Sequence, residues 1–372
     1  MNELEVHDGS IVALRIFDVA YEIDLARVET LWAEHTGAAG SRRQITQAPP
    51  KALAFDVPPV VLTLGPVTVN VAGTATPAEA VARIYDFGAI SLALRFAAGG
   101  LGWTAYCTHL NAVDAAIGAG TDAPVWDALL QRLREALTPA WVRPSKPGLQ
   151  EDYLLGTVRR WSEASLDAPS LLERIDVVPL LSGEQRPLSD GARSELLRHR
   201  YSYYADDLVI LTWDRAFIYE PRGDSDVADV LEVANARLLE LRYYDELLDD
   251  ELPLMNDLVD EARRKAYFLA PRRFAGLARS LYALVAEVTE LTEKADNALK
   301  VTEDVYLARV YSAALDVMRV PKRAAAVDRK LEIIRDTYAA LYDEAATTRG
   351  ELLELAIVIL IVIEILMALL GH

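Results

Sequence analysis

Through the first 220 or so residues, apolar positions alternate with polar ones or gather in short blocks; beyond them they recur at helical spacing. Residues 10–17, Ser-Ile-Val-Ala-Leu-Arg-Ile-Phe, predict a strand, and residues 24–35 a short helix. Residues 60–64, 67–71 and 81–96 are β-rich, punctuated by Gly65-Pro66 and Gly73. Residues 124–137 have amphipathic spacing, and residues 175–181 (Ile-Asp-Val-Val-Pro-Leu-Leu) predict another strand. Ser189 is placed to cap a helix running to His199, and residues 208–220 read as a hairpin turning at Asp214-Arg215. Long helices begin after Asp224, with residues 231–248 the first.

Farther along, Val327, Leu331, Ile334, Tyr338, Leu341, Ala345, Thr348, Leu352 and Leu355 follow one another at alternating steps of four and three, which lines one helix face with apolar groups. Leu277, Leu281, Leu284, Val288, Leu291, Ala295 and Ala298 have the same spacing. Arg319-Val-Pro-Lys322 lies between the two stripes, and proline disfavours helical geometry at the residue before it. An antiparallel helical hairpin is therefore expected over about 277–319 and 322–350, with an inter-chain coiled coil as the alternative.

The second stripe runs into residues 355–370, sixteen residues with a single charge. From Leu352 the run is roughly 28 Å of helix, near the thickness of a bilayer core. It predicts a transmembrane helix over 351–370, with Leu355, Ile359, Ile363 and Leu366 against lipid and Glu364 needing a partner at depth. Arg329, Lys330, Arg335 and Arg349 on its N-terminal side place the bulk of the chain in the cytoplasm, as a single-pass inner-membrane protein. A soluble oligomer with bundled apolar tails is the alternative. The expected class is α+β: a mixed α/β domain over 1–221, a helical domain over 222–350 and the anchor over 351–370.

The formal charge of −18 disfavours direct nucleic-acid binding and favours basic protein partners. Heptad spacing points to a homo-oligomer. Cys107 is the only cysteine among the 372 residues, so internal disulfides and cysteine-based zinc sites are excluded. The acidic N-terminus, Met1-Asn-Glu-Leu-Glu, lacks the features of a secretory signal.

Individual motifs carry little chemistry. Asp86-Phe87-Gly88 spells a kinase magnesium tripeptide, but the phosphate-covering loop, strand lysine and catalytic loop are absent at workable spacing, so a tight glycine position in a strand is favoured. Gly99-Gly-Leu-Gly102 lacks the following Lys-Ser/Thr of a phosphate loop and reads as a turn. His7, His35, His109, His199 and His372 are scattered, with no metal-binding pair on a predicted helix. Cys107 and His109, two apart, share one face if they lie on a strand; a buried structural cysteine is the plainer reading. Tyr201, Tyr203 and Tyr204 suit half-buried strand positions, and residues 245–251 a solvated acidic helix face. No catalytic, cofactor or metal residues are expected. A non-enzymatic scaffold or adaptor is the leading function, and a ligand-sensing or hydrolytic domain centred on Tyr85–Ser91 and Cys107/His109 the alternative.

Two segments resemble the proteins related to required for meiotic nuclear division protein 1. Ile84-Tyr85-Asp86-Phe87-Gly88-Ala89-Ile90 is similar to that family's aromatic-Asp-aromatic-Gly strand. Residues 351–365 are similar to its Leu-Glu-Trp-Ile tail, with Glu354 and Glu364 in matching places; the tryptophan is absent, and Leu92-Ala-Leu94 replaces the Phe-Trp after the glycine strand. The resemblance implies a membrane protein without catalytic residues that supports assembly or translation at the membrane.

Overall fold

The computed structural model describes residues 3–36, 41–42, 57–145, 148–163, 166–184, 186–223, 226–264 and 304–370, with isolated positions between 276 and 289. The elements are β1 (Glu5–Asp18), β2 (Ala20–Ile23), α1 (Leu25–Thr36), β3 (Ser41–Arg42), β4 (Val60–Val71), β5 (Thr74–Ile84), β6 (Ala89–Ala97), β7 (Leu101–Gly102), α2 (Trp103–Ile117), α3 (Pro124–Leu137), β8 (Trp141–Pro144) and β9 (Gln150–Trp161). They continue with α4 (Ala168–Arg174), α5 (Val178–Ser182), α6 (Asp190–Leu196), β10 (Arg200–Tyr201), β11 (Leu208–Leu211), β12 (Arg215–Tyr219), α7 (Val227–Arg264), α8 (Val305–Val317) and α9 (Val320–Leu370). The chain divides into two units, residues 1–242 with 294–321, and residues 243–293 with 322–372.

In the first unit, one sheet runs in the order β10-β11-β12-β9-β1-β6-β5-β4-β3, with β7 paired to β1. Every pairing is antiparallel except β12 with β9. β1 is central, and residues 11–17 are buried on both faces, which is why they read as a continuous apolar run. One face packs Ile11, Ala13 and Phe17 with Tyr106 and Leu110 of α2 and Leu133 of α3. Gly156 lets α2 approach: a Cβ there would meet Leu110 Cδ1 at 2.9 Å and the Tyr106 hydroxyl oxygen at 3.2 Å. The other face packs Ile16, Tyr85 and Ala89 against Ala236 and Leu239 of α7.

Three arginines tie these layers together, each with its charge matched. Arg15, inside the apolar run, has Nε 2.5 Å from Asp152 Oδ1 and donates from Nη2 to the Gly118 carbonyl at 2.8 Å, where a cation suits the end of α2. Arg215 joins Asn111 (2.7 Å) and Asp114 (2.5 Å) of α2 to the Leu180 carbonyl (3.0 Å). Arg83 pairs with Asp229 at 2.5 Å and with Glu232, both on α7.

Several expectations change here. The two strands expected at 60–64 and 67–71 are one, β4, whose pairing with β5 shifts register between Thr63 and Gly65. Residues 175–181 lead into α5, with Pro179 in its first turn; a short apolar run cannot distinguish strand from buried helix. The segment holding Cys107 and His109 is helix α2, not a strand. Tyr203 and Tyr204 follow β10 and are exposed.

In the second unit, Lys330 of α9 donates to the Asp245 carbonyl at 2.9 Å and lies 2.7 Å from Asp249, holding this part of α9 to α7. Leu248, Val327, Leu331 and Ile334 are buried, so the expected heptad stripe does pack at its start. Arg319, in the first unit, has φ +60°, which ends helical geometry after α8, and Pro321 then sits in the first turn of α9. The earlier stripe from Leu277 falls mostly outside the described residues.

The expected C-terminal transmembrane helix is overturned: among the described residues, no helix is long and apolar enough to cross a membrane. Residues 351–370 form the end of a 51-residue helix that begins polar and amphipathic. The fold is mixed α/β on a large sheet, and the membrane anchor and the single-pass inner-membrane location fall with the helix. Of the residues assigned to the anchor, Ile359 and Ile363 are exposed, whereas the side chains of Leu355, Glu364 and Leu366 lie outside the described residues.

Candidate functional site

The resemblance segment is a turn rather than a strand. Residues 85–88 connect β5 to β6, with the Tyr85 amide donating to the Ala89 carbonyl at 3.0 Å. Gly88 has φ +90°, and its carbonyl accepts from the amides of Val19 (3.0 Å) and Ala20 (3.3 Å). A Cβ at Gly88 would stand 1.7 Å from the Ala20 carbonyl oxygen, so only glycine fits. Tyr85 is buried, stacks on Phe87 at 5.1 Å and donates to Glu232 Oε1 at 2.9 Å. The carbonyl of Asp86 accepts from the amide of Ile23 at 2.9 Å. These contacts fasten one end of the sheet and describe no metal or nucleotide site.

Cys107 and His109 do not form a pair. A separation of two on a helix turns their side chains about 200° apart. Cys107 is buried in the core around α2, and burial pushes its thiol up to about 12, away from the range of a nucleophile. Burial also lowers His109 below its ordinary value. The Tyr85 cluster and Cys107 belong to different cores on the two sheet faces. The expected turn at residues 99–102 is instead a bend at Gly100 followed by strand β7, and the first turn of α2 behind it is already taken: the Thr104 amide donates to Glu3 Oε1 at 2.7 Å. Among the described residues, no group of three His, Cys, Asp or Glu side chains is arranged to hold a metal.

The sheet does carry a cleft that no sequence motif marked. It has a volume of about 490 Å³ and lies over β9, β1, β6 and β5. Pairing sets Ser10 opposite Thr157 on one side and Ala97 on the other, and Arg95 opposite Glu79. These positions share the sheet face of Ile16, beyond the part that α7 covers. The Ser10 and Thr157 hydroxyls are 2.7 Å apart, and Arg95 Nη1 donates to Ser10 Oγ at 3.1 Å. Thr157 donates to the Ser10 carbonyl at 3.0 Å, which fixes the sense of the chain from guanidinium to hydroxyl to hydroxyl to backbone. Arg159 stands two residues beyond Thr157 on β9, and Pro66, Pro77, Ala78 and Ala97 supply apolar wall. Burial, and then the charge of Arg159, lower the pKa of Arg95; Glu79 opposes this and is outweighed. The signal available in sequence was an arginine at alternate positions of two apolar strands, but the two sit 64 residues apart, and only the order β9-β1-β6 brings them together.

Fold and cleft together define a mixed α/β domain with a polar sheet-face cleft. The chain belongs to the family described as the N-terminal domain of uncharacterized protein MJ0711, which matches residues 8–226 and so contains every cleft residue. It is 29% identical over 191 residues to uncharacterized protein MJ0711 of Methanocaldococcus jannaschii, a match covering 51% of this chain and 58% of that protein. The chain thus aligns with less than two thirds of that relative's length. Neither match bears the name of the meiotic-nuclear-division family. No solved structure matches.

Proposed function

We propose that the protein is a non-enzymatic, self-assembling adaptor, whose copies associate through the apolar end of α9. One observation carries this reading: residues 357–363 are seven consecutive Ile, Val and Leu side chains, each 45–65% exposed. Seven residues make about two helical turns, so the apolar surface faces every direction and needs neighbours on more than one side. Covering each side chain contributes on the order of 1 kcal/mol. Steps of four and three continued from Leu352 and Leu355 place Ile359 and Val362 on the packing stripe, and β-branched residues on such a stripe favour bundles of three or more helices. A second copy is the natural occupant because most soluble oligomers are symmetric homo-oligomers. The resemblance of the 84–90 and 351–365 segments to the meiotic-nuclear-division family suits an assembly role, without its membrane placement. Sedimentation of the full chain in detergent-free buffer tests the reading. A trimer or larger particle is expected at micromolar concentration, and Ile359→Glu with Val362→Glu reduces it to monomer. A wild-type monomer at ~50 μM sinks it.

A further inference from the structure

The cleft over β9, β1, β6 and β5 is lined by two arginines, Arg95 and Arg159, and by two carboxylates, Asp8 and Glu79, and we infer that it binds a small phosphomonoester through Arg95 and Arg159. The three structural arginines show what this chain does with a guanidinium it must neutralise: Arg15, Arg83 and Arg215 each meet a carboxylate within 2.5 Å or less. Arg95 and Arg159 depart from that pattern. Among the described residues neither has an ion pair, although both line one cleft and are close enough for Arg159 to depress the pKa of Arg95. Two like charges held together on a rigid sheet are a cost that a bound anion removes.

Ser10 and Thr157 have a positioning role. Their hydroxyl protons are directed inward along the chain that ends on the Ser10 carbonyl, so Ser10 accepts from Arg95 and holds it in place. Most of the N–H donors of Arg95, and those of Arg159, are left for a ligand. Two forked donors can each pair bidentately with a tetrahedral phosphate dianion, which has three terminal oxygens to share between them where a carboxylate has two. Pro66, Pro77, Ala78 and Ala97 give the rest of the ligand an apolar wall, which favours an organic phosphate over the bare ion. The volume of about 490 Å³ is that of a small-molecule site, and the overall charge of −18 argues against a nucleic-acid backbone as the source of phosphate. Glu79, facing Arg95, sets a limit on size and charge by repelling ligands with a second anionic group on that side.

Titration calorimetry of the full chain with phenyl phosphate, and separately with inorganic phosphate, tests this. Saturable binding of phenyl phosphate is expected, with inorganic phosphate weaker, and Arg95→Gln or Arg159→Gln weakens it about tenfold or more. Arg198→Gln, on the exposed pair with Glu195, leaves it unchanged. Independently of any variant, phenyl phosphate should shield Arg95 and Arg159 of the wild-type protein from phenylglyoxal, read by mass spectrometry. No saturable binding up to ~10 mM, or modification of both arginines undiminished by ligand, overturns the inference. The result is independent of assembly through α9, because the double variant of that helix should bind phenyl phosphate as the wild type does.

Discussion

Tyr85, at the start of the β5–β6 turn, donates its hydroxyl to Glu232 of α7 at 2.9 Å, and the same carboxylate pairs with Arg83. Burial works against the Arg83 charge, but Glu232 and Asp229 outweigh it and hold its pKa above the ordinary value; burial and then Glu232 raise that of Tyr85. Removing the carboxylate leaves a buried guanidinium half-neutralised. Glu232→Ala should therefore lower the unfolding free energy by about 3 kcal/mol, and Tyr85→Phe by about 1 kcal/mol. Urea unfolding measures both, and equal effects would show that the charge pair does not dominate.

Gly88 and Gly73 separate backbone strain from collision. Both have positive φ, at +90° and +84°, but a Cβ at Gly73 meets open space whereas one at Gly88 strikes the Ala20 carbonyl. Gly73→Ala should cost about 1 kcal/mol and Gly88→Ala more than ~4 kcal/mol, enough to prevent stable folding. Thermal melts of the two variants give the comparison.

Cys107 should be inert in the folded protein. With its thiol near 12, about one molecule in ten thousand is a thiolate at pH 8. Labelling with a thiol-specific disulfide reagent should be slow in buffer and complete within minutes in denaturant. Fast native labelling would mean that α2 opens or that the core around Tyr106 and Cys107 is looser than described.

Asp18, the last residue of β1, gives a pH dependence. Burial raises its carboxyl to about 6, above the ~3.9 of an unfolded chain. The folded state then holds the proton between these values and the unfolded state does not, so stability falls as pH rises from about 4 to 6 and stays reduced above. Asp18→Asn should raise the melting temperature at pH 7.5, by on the order of 2 kcal/mol in stability, with the advantage shrinking toward pH 4. A constant difference across that range would locate the effect elsewhere.

Much of the local structure was legible. Ser189 caps α6 through the Ala192 amide at 3.4 Å, and the expected hairpin is present, its turn at residues 212–214 rather than at Asp214-Arg215. The break at Arg319-Val-Pro-Lys322 falls between α8 and α9. Trp103, Tyr106, Cys107, Leu110, Val113 and Ile117 recur at the helical spacing that α2 shows, a signal absent from the expected elements above. The terminal apolar run was read as a membrane helix from hydropathy, a property that equally describes a helix packed among others.

What the sequence determined by itself was much of the local structure, including the strand at residues 10–17, the amphipathic helix at 124–137, the hairpin near 208–220 and the long helices beyond Asp224. Side-chain periodicity and turn residues are local properties, and they can be read without knowing the partner. Tertiary structure decided which side chains meet. Arg15 finds Asp152, Arg83 finds Glu232, and Arg95 comes to Arg159 over a cleft through pairings that join distant strands. Charge matching is a property of three-dimensional neighbours, so only the folded chain separates arginines paired with carboxylates, such as Arg15, Arg83 and Arg215, from arginines such as Arg95 and Arg159 that, among the described residues, are not.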